Sequence, residues 1–226
     1  RSAVSCRVKG STQTMNKPAP MTGRLITVEG IEGVGKSTNL AFVAGELQGA
    51  GHDVLLTREP GGTPLGERIR ELLLQPGNEI VPMAELLLLF AARAAHVETV
   101  ILPALRSGRW VVCDRFTDAS HAYQGGGRGI PGATIDALDQ LVTGGLRPDL
   151  SLLLDVPLEV SAERQSGRGD RDRFEREAGP FFRRVRARYL ELAQAQPGRI
   201  RVINAARSLP EVQAEIRRVL QESLFR

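Results

Sequence analysis

Short runs of apolar and β-branched residues alternate along the chain with stretches in which apolar residues recur every three or four positions. The first run stops at Gly30, and the stretch after Lys36 has helical spacing. Runs of the first kind predict β-strands at residues 24–29, 53–57, 110–113, 150–155 and 201–203. Stretches of the second kind predict helices near residues 36–49, 65–74, 83–107, 135–142, 157–165, 174–195 and after Ser208.

Three residues carry signals about where these helices begin or end. Pro103 lies inside the stretch 83–107 and is expected to end or kink that helix, because proline has no backbone N–H. Ser208, followed by an acid three residues later, forms a capping-box pattern before the last helix. Asp155 ends the fourth predicted strand, and we expect its carboxylate to cap the next helix.

The regular alternation of strands and helices is typical of an α/β fold. Strands that are apolar throughout are buried on both faces, and helical connections between consecutive strands make the strands parallel. The pattern contains no internal repeat and no linker. We therefore expect a single domain over residues 21–226, with a five-stranded parallel sheet covered by helices on both faces.

The net charge of +4 does not indicate a nucleic-acid-binding protein, because of where the charge lies. Residues 1–20 contain four basic residues and no acid, so the chain's 30 basic and 26 acidic residues leave 26 of each in residues 21–226. A nucleic-acid footprint is a basic surface on the folded domain, so we expect no nucleic-acid partner. Residues 1–20 are expected to form a disordered basic extension.

The cysteines and the apolar runs bear on where the protein works. Cys6 and Cys113 are far apart and have no metal-ligand spacing, which is typical of a reducing compartment. No uninterrupted apolar run approaches the roughly 18 residues of a membrane span, and residues 1–20 lack the apolar core of a secretion signal. We expect a cytoplasmic protein without membrane contact.

A phosphate-binding loop follows the first predicted strand. Residues 30–37 read Gly-Ile-Glu-Gly-Val-Gly-Lys-Ser and match G-x-x-x-x-G-K-[ST] in the right context, after a strand and before a helix. Backbone N–H groups of such a loop converge on phosphate oxygens. Lys36 is the only lysine in residues 21–226, and its compact ammonium fits between phosphates where a planar guanidinium is too bulky. The Ser37 hydroxyl can bind Mg²⁺.

Acidic residues also stand at or just after the ends of other predicted strands. Ligands of open α/β sheets bind beyond the carboxyl ends of the strands. Asp114, which directly follows an apolar strand and precedes Arg115, is therefore a candidate to hold Mg²⁺ or to accept a proton. Glu59 follows the second predicted strand and is expected at the same edge of the sheet.

Arginines are concentrated in residues 164–173, a polar, glycine-broken segment between two predicted helices. Several guanidiniums on a mobile segment, in a chain with a triphosphate site, indicate a lid that closes over the transferred phosphoryl group. Arg93 is alone among apolar residues of its predicted helix, and both a ligand contact and an exposed position are open for it. The glycines at 125–127 predict a flexible loop.

Together these segments resemble the bacterial thymidylate kinase family over essentially all of residues 21–226. The resemblance is carried by residues 30–38, 57–63, 90–93, 114–116 and 122–129 and by the arginine-rich segment. It implies the P-loop kinase fold with a short lid at about 164–173. It also implies transfer of the γ-phosphoryl group of ATP to dTMP, giving dTDP and ADP for dTTP synthesis, with Mg²⁺ as a cofactor, in a homodimer.

The resemblance implies roles for individual residues. ATP is held by the phosphate loop, Gly30, Ile31, Glu32, Gly33, Val34, Gly35, Lys36, Ser37 and Thr38, and by Arg164, Arg171 and Arg173. The substrate dTMP is bound by Glu32, Glu59, Pro60, Leu89, Phe90, Arg93, Arg115, Ser120, Tyr123 and Gln124. Lys36, Asp114 and Arg168 are implied to be catalytic, and Ser37 and Asp114 to bind Mg²⁺.

Four of these implied roles concern particular atoms of the acceptor. Arg93 is implied to read the thymine edge, and Arg115 to bind the acceptor phosphate. Glu32 is implied to face the deoxyribose 3′-hydroxyl. Tyr123 is implied to crowd the sugar 2′-carbon, which disfavours ribonucleotides.

The chain departs from the family pattern at two places. Some relatives have a catalytic arginine where this chain has Gly33, so the transition-state cation is expected from the lid, with Arg168 as the first choice and Arg164, Arg171 and Arg173 as alternatives. Many relatives have a base-stacking phenylalanine four residues before the reading arginine. That position is Leu89 here, with Phe90 one residue later, and with about 3.6 residues per turn either can face the base.

Three other functions were weighed. A P-loop kinase acting on another nucleoside monophosphate or a small alcohol is the nearest alternative. A GTPase is disfavoured, because its guanine-reading Asn-Lys-x-Asp motif needs a lysine that residues 38–226 do not contain. A nucleic-acid-binding module is disfavoured by the neutral charge of residues 21–226.

Overall fold

The computed structural model describes residues 21–166, 172–175, 177 and 179–225. The predicted extension, residues 1–20, lies outside the described residues, as do Arg168 and Arg171 of the predicted lid.

Five parallel strands form one sheet, in the order β2-β3-β1-β4-β5. The strands are β1 Leu25–Glu29, β2 Val54–Arg58, β3 Trp110–Asp114, β4 Leu150–Asp155 and β5 Ile200–Asn204. The predicted strands are thus all confirmed, with ends that differ by a residue or two. Because β1 is central and pairs with β3 on one side and β4 on the other, its carboxyl end lies at the crevice where such sheets bind ligands.

The helices connect the strands in the order that the hydrophobic spacing predicts. They are α1 Lys36–Gly49, α2 Pro64–Leu74, α3 Pro82–His96, α4 Leu102–Arg106, α5 Thr117–Ser120, α6 Gly132–Thr143, α7 Leu158–Gln165, α8 Gly179–Ala195 and α9 Leu209–Leu224, with π-helical turns at Val97–Ile101 and His121–Gly127. The capping box at the start of α9 is confirmed, since the Glu211 carboxylate accepts a hydrogen bond from the Ser208 backbone N–H at 3.0 Å.

Helices cover both faces of the sheet. Alternate residues of β1 and β3 point to opposite sides, so Ile26 and Val112 pack with the α1 side chains, including Leu47. Leu25 and Val111 pack instead against residues 97–105 on the other face. The predicted α/β architecture, a parallel sheet between two layers of helices, is confirmed.

The helix predicted over 83–107 is interrupted by a wide turn rather than a simple break. The Leu102 N–H bonds to the Val97 carbonyl, which closes a π-turn directly before Pro103. A proline ring crowds the carbonyl one turn earlier and offers no N–H, and a π-turn accommodates both effects within a continuous helical path.

The glycine-rich stretch predicted as a flexible loop is instead a π-helical segment packed against α8. A Cβ added at Gly127 would lie 2.4 Å from a ring carbon of Phe181, and one at Gly126 would lie 2.7 Å from the Arg188 Cβ. The prediction was wrong because the glycines serve close helix packing here, which intrinsic backbone freedom alone does not reveal.

Asp155 does not cap α7, which begins after Pro157 without a side-chain cap. Its two carboxylate oxygens accept hydrogen bonds at 2.7 and 2.8 Å from Arg186 of α8. The capping prediction was therefore wrong, because both carboxylate oxygens accept hydrogen bonds from an arginine of a distant helix instead.

The helical stretch Pro82–Arg106 is long and apolar enough, by length and composition, to cross a membrane. Counting uninterrupted apolar residues missed it, because Glu85, Arg93 and His96 interrupt the run. All three side chains are almost fully buried and make hydrogen bonds to other parts of the protein. In this structure the stretch packs as a core helix of the domain.

Glu85 of α3 ties together segments that are far apart in sequence. Its side chain is completely buried and accepts hydrogen bonds from Gln124, Arg128 and Arg173. One carboxylate therefore binds the π-helical turn after α5, Arg128 directly behind it, and the last residue of the predicted lid. Charge-assisted bonds of this kind are strong, and Glu85 compensates the charge of Arg173 and, together with Glu177, that of Arg128.

We expect Glu85→Ala to lower the free energy of unfolding by about 3–5 kcal/mol, because it removes the acidic partner of the mostly buried Arg173 guanidinium and one of the two acids that pair with Arg128. Urea unfolding followed by circular dichroism measures the change. The control is Glu191→Ala, which removes an exposed partner of Arg188 and should cost about 1 kcal/mol or less. Equal effects of the two substitutions would contradict the role of Glu85.

Candidate active site

A cleft of about 1240 Å³ opens where β1, β2 and β3 end, between the phosphate loop, α3, α5 and residues 172–175. Most of the side chains that the sequence singled out meet there. Those that line the cleft are Glu32, Gly33, Gly35, Lys36, Ser37, Thr38, Glu59, Pro60, Leu89, Arg93, Asp114, Arg115, Ser120, Tyr123 and Gln124.

The phosphate loop leads from β1 into α1, as its sequence predicts. The Lys36 ammonium folds back over the loop and donates hydrogen bonds to the carbonyls of Gly30 (3.1 Å) and Ile31 (2.8 Å). Burial, and then the nearby Arg115 guanidinium, lower the pKa of Lys36 from 10.5 to about 8. The side chains of Ile31 and Val34 are buried in the main core under the loop, so these two residues can meet phosphates only through their backbones.

Helix α7 packs on the phosphate loop at Gly33. The Ser161 hydroxyl donates to the Glu32 carbonyl at 2.7 Å. Gly33 has a φ of +75°, and a Cβ there would lie 2.7 Å from the Ser161 carbonyl oxygen. This arrangement leaves no room for a side chain at position 33, which agrees with the absence of a loop arginine in the sequence.

The guanidinium of Arg115 lies beneath the loop at the end of β3. It donates to the Gly30 carbonyl and the Glu32 carboxylate, both at 2.8 Å, and to the Tyr189 hydroxyl at 3.3 Å. The Tyr123 hydroxyl also donates to Glu32, and the Arg115 guanidinium lies 4.8 Å from the centre of the Tyr123 ring. Glu32, Arg115 and Tyr123 thus form one cluster at the floor of the cleft.

A second buried acid supports this cluster from below. Glu29, the last residue of β1, accepts hydrogen bonds from the Phe116 N–H (2.8 Å) and the Tyr189 hydroxyl (2.9 Å). Burial, and then the nearby Asp118, raise the pKa of Glu29 from 4.5 to about 8. A carboxyl that can stay neutral near pH 7 adds little negative charge beneath a site meant for phosphates.

Arg93 is buried but points into the cleft. Its Nε donates to Glu59 Oε2 at 2.7 Å and its Nη1 donates to the Ser120 hydroxyl at 3.1 Å. The guanidinium lies between two aromatic rings, 4.6 Å from the centre of Phe90 and 5.3 Å from that of Phe116. Since a guanidinium has more N–H groups than these two bonds use, donors remain for a planar ligand in the cleft.

The structure separates the two candidates for contact with a base. Leu89 lines the cleft, whereas Phe90 is not among the described lining residues and packs in a buried cluster with Leu86 and Ile135. Phe90 supports the Arg93 guanidinium from behind. Of the two, Leu89 is the residue that faces the cleft, and the contact of Phe90 with a base stays a prediction.

The described lid arginines make hydrogen bonds to segments other than the phosphate loop. Arg164, at the end of α7, donates to the Ala205 carbonyl at 3.0 Å. Arg173 donates to the Leu73 carbonyl at 2.8 Å and to Glu85 at 2.6 Å. Neither is among the described residues that line the cleft. Their predicted contact with ATP has no counterpart in this arrangement.

Among the lining residues that the sequence analysis did not predict are Phe174 and Arg70. Phe174 closes the cleft beside Tyr123, with ring centres 5.9 Å apart in an edge-on arrangement. Arg70 of α2 lines it as well and donates to the Pro60 carbonyl at 3.1 Å. The helical spacing that brings Arg70 to the face of α2 behind the Glu-Pro-Gly-Gly turn was the available signal. For Phe174, the available signal was that an aromatic residue directly follows the arginine-rich segment.

The residues at the mouth of the loop fit a magnesium ion. Oδ1 of Asp114 is buried and has no hydrogen-bond partner among the described residues, and Ser37 lines the same cleft. A buried carboxylate oxygen without a partner is costly, and Mg²⁺ prefers such hard oxygen ligands. In the described part of the chain no cluster of three or more His, Cys, Asp or Glu could hold a metal, as expected for an ion that takes most ligands from phosphates and water.

Comparisons with known proteins agree with this geometry. A family model described as thymidylate kinase matches residues 28–216. A thymidylate kinase from Pseudomonas syringae pv. tomato is 56% identical over 205 residues, which cover 90% of this chain and 98% of the relative. One from Methylococcus capsulatus is 58% identical over 194 residues, covering 86% and 93%.

A solved structure shares the fold. The crystal structure of thymidylate kinase from Ehrlichia chaffeensis superposes with a TM-score of 0.71 at 36% identity, and the match covers 88% of this chain and 98% of that one. None of these matches supports the alternative of a kinase for another nucleoside monophosphate. On the family match, the identity to these relatives and the shared fold, this chain belongs to the thymidylate kinase family.

Proposed function

We propose that the chain transfers the γ-phosphoryl group of ATP to dTMP, giving ADP and dTDP, in the cleft described above. The observation that carries this proposal is that Lys36, Arg93 and Arg115 line one cavity. A donor-phosphate cation, a base-reading guanidinium and an acceptor-phosphate guanidinium are thereby held in one rigid frame. Such positioning supplies most of what phosphoryl transfer requires from a protein.

The proposed donor site is the phosphate loop and the start of α1. When ATP binds, the Lys36 ammonium exchanges its two carbonyl contacts for phosphate oxygens, which favour its protonated form. Backbone N–H groups at the start of α1 face the same phosphates. Ser37 and Asp114, whose Oδ1 has no hydrogen-bond partner among the described residues, would hold Mg²⁺, and the ion would supply positive charge to the donor phosphates.

The proposed acceptor site lies between α3 and α5. Arg93, held by Glu59 and Ser120, reads the base edge, and Leu89 packs against the base. The edge of Phe174 is also available to the base. Arg115 binds the acceptor phosphate, with Arg70 as a second cation on the same wall.

The sugar lies beside Glu32 and Tyr123 in this proposal. Because the Tyr123 hydroxyl is bound to both oxygens of Glu32, its ring is held in place and can exclude a ribose 2′-hydroxyl. Gln124 borders the same pocket and is oriented by its bond to Glu85.

No general base is required, because the monophosphate is already an anionic nucleophile. What remains to be supplied is a cation for the charge that develops on the transferred group. Gly33 has no room for a side chain, and Arg164 and Arg173 are bound to other parts of the protein. Arg168 and Arg171, which lie outside the described residues, therefore remain as candidates, and Arg168 stays our first choice for the catalytic lid residue.

A homodimer is the proposed assembly. Large apolar side chains are exposed together on α2, on α3 and just before α3, at Leu65, Leu72, Val81, Met83 and Leu87, each 45–67% exposed. Contiguous exposed apolar patches mark protein contacts, and a self-complementary patch produces a two-fold dimer. The face lies opposite the buried polar residues of α3, so pairing would leave the cleft open.

The cytoplasm is the proposed location. Cys113 is an unpaired, fully buried thiol within the described residues, and burial raises its pKa. An unpaired structural thiol suits a reducing compartment.

The substrate assignment predicts that dTMP will be the preferred acceptor. In a coupled assay of ADP release with dTMP, AMP, UMP and dGMP, we expect kcat/KM to be highest for dTMP by at least about 100-fold. Lys36→Ala should abolish nearly all turnover while leaving the thermal unfolding midpoint close to that of the parent. Higher activity on another monophosphate would overturn the assignment of substrate, and retained turnover in Lys36→Ala that of the donor site.

The lid assignment predicts a defect confined to the chemical step. Arg168→Ala should lower kcat by at least about 100-fold with little change in KM for either substrate, because the cation acts in the transition state. Arg183→Ala, at an exposed position on α8, is the control and should be nearly silent. If Arg168→Ala retained parental kcat, the catalytic role would pass to another lid arginine.

The dimer assignment predicts that one charge on the apolar face will separate the subunits. Leu87→Glu should shift the protein to monomers in analytical ultracentrifugation, because it places a carboxylate in an apolar contact. Leu209→Glu is the matched control, since Leu209 is similarly exposed (47% against 50%) but lies on α9. Identical sedimentation of the two variants would count against this face.

A further inference from the structure

A buried histidine that the proposed mechanism does not use stands one step behind the base-reading arginine. His96, the last residue of α3, is fully buried, and its Nδ1 lies 3.0 Å from Glu59 Oε1. Its Nε2 lies 2.6 Å from the Thr57 hydroxyl oxygen. Glu59 in turn accepts from Arg93 through its other oxygen. One chain of hydrogen bonds therefore runs from β2 through His96 and Glu59 to Arg93.

The chemistry of the partners sets the direction of these bonds. The Glu59 carboxylate can only accept, so His96 Nδ1 carries the proton that lies between them. In neutral imidazole, Nε2 is then an acceptor, and the Thr57 hydroxyl donates to it. The Glu59 carboxylate thus selects the tautomer, and the Thr57 hydroxyl satisfies the acceptor that this tautomer leaves at Nε2.

The shared carboxylate is what links the histidine to the arginine. Glu59 is only 5% exposed, and each oxygen has its own donor, Arg93 Nε on one side and His96 Nδ1 on the other. Both hydrogen bonds can form together only when the plane of the carboxylate has one orientation. Arg93 Nε is bound to that carboxylate and Nη1 to Ser120, so the orientation of the carboxylate fixes the plane of the Arg93 guanidinium.

The glycine turn is built around the same histidine. A Cβ at Gly62 would lie 2.5 Å from His96 Nε2 and 2.7 Å from the Thr57 hydroxyl oxygen. Gly62 also has a φ of +74°. The turn after Glu59 therefore leaves a space that the imidazole and the Thr57 hydroxyl fill.

We propose that His96 is a positioning residue for base recognition: it orients the Glu59 carboxylate, and through it the Arg93 guanidinium, toward the pyrimidine edge of the acceptor. This inference rests on the proposed function. It predicts that His96 affects which base is accepted more than how fast the phosphoryl group moves.

The test uses three acceptors that separate the base contacts. dTMP and dUMP share the same ring edge and differ in the 5-methyl group, whereas dUMP and dCMP differ at the edge, where a carbonyl acceptor is replaced by an amino group. Arginine donors at that edge favour the carbonyl. The ratio of kcat/KM for dUMP to that for dCMP therefore reports the orientation of Arg93, and the ratio for dTMP to dUMP is an internal control.

Two substitutions of His96 divide its contacts. The amide of His96→Asn takes the place of Nδ1 and can still donate to Glu59, whereas that of His96→Gln reaches the place of Nε2 beside Thr57. We expect His96→Gln to lower the dUMP:dCMP ratio at least about 10-fold, mainly through KM, because displacement of a binding group by about 1 Å has effects of this size or larger. His96→Asn should keep most of the discrimination, and the dTMP:dUMP ratio should hold in both.

Thr57→Val keeps the shape of the side chain and removes the hydroxyl that holds His96 in place through Nε2. It should move the dUMP:dCMP ratio in the same direction as His96→Gln, and it tests the inference even if His96→Gln does not fold. An unchanged ratio in folded His96→Gln or in Thr57→Val would overturn the inference. So would an equal loss for all three acceptors, which is the result of a merely structural role.

Measurements on the wild-type protein distinguish a failure of the His96 proposal from a failure of the proposed function. If the wild type prefers dTMP to dCMP and the variants keep its dUMP:dCMP ratio, only the role of His96 fails. If the wild type itself does not prefer dTMP, the proposed function fails, and the role of His96 in base recognition fails with it.

Discussion

The buried guanidinium of Arg115 joins the end of β3, the phosphate loop and α8, and the geometry of the cleft depends on it. The residue lies in the left-handed region, with a φ of +67°, although it is not glycine. Its N–H bonds to the Val28 carbonyl and so continues the pairing of β3 with β1 for one more step. From there the side chain reaches Gly30, Glu32 and Tyr189. A costly backbone conformation at a functional site is retained where surrounding contacts over-determine it.

Buried charge recurs around the site, and in three places an oppositely charged partner compensates it. Arg93 is paired with Glu59, Glu85 with Arg128 and Arg173, and Asp118 with Arg199. Such pairs contribute little net stability compared with apolar packing, because burying both charges is costly. They do define orientation, since an ion pair with several hydrogen bonds tolerates few geometries. The domain therefore uses its buried charges to position side chains around the cleft.

Hydrophobic periodicity and one loop motif were enough to predict the sheet, its parallel direction and the edge where ligands bind. Candidates at strand ends, such as Asp114 and Glu59, also reached the cleft, because parallel strands bring their carboxyl ends to one edge. What escaped prediction depends on contacts between distant segments. Arg186 reaches Asp155 from another helix, and Glu85 meets two arginines more than 40 residues away. The spacing of residues along the chain does not show such contacts between distant segments.

The glycines also show what sequence analysis cannot predict. Sequence analysis treats glycine as a source of flexibility, yet Gly33, Gly62 and Gly127 are sites of close packing, where α7, His96 and α8 respectively occupy the space of a side chain. Each contact brings a supporting element against a part of the cleft: the phosphate loop, the turn that holds Glu59, and the segment that holds Gln124. Because the packing distances are fixed by backbone and ring atoms, a shift of any of these elements would be felt by the functional side chain it supports. The glycine-rich segments of this chain thus favour rigidity. Because these glycines have no side chain, neighbouring elements pack closely against them and hold the functional side chains of the cleft in place.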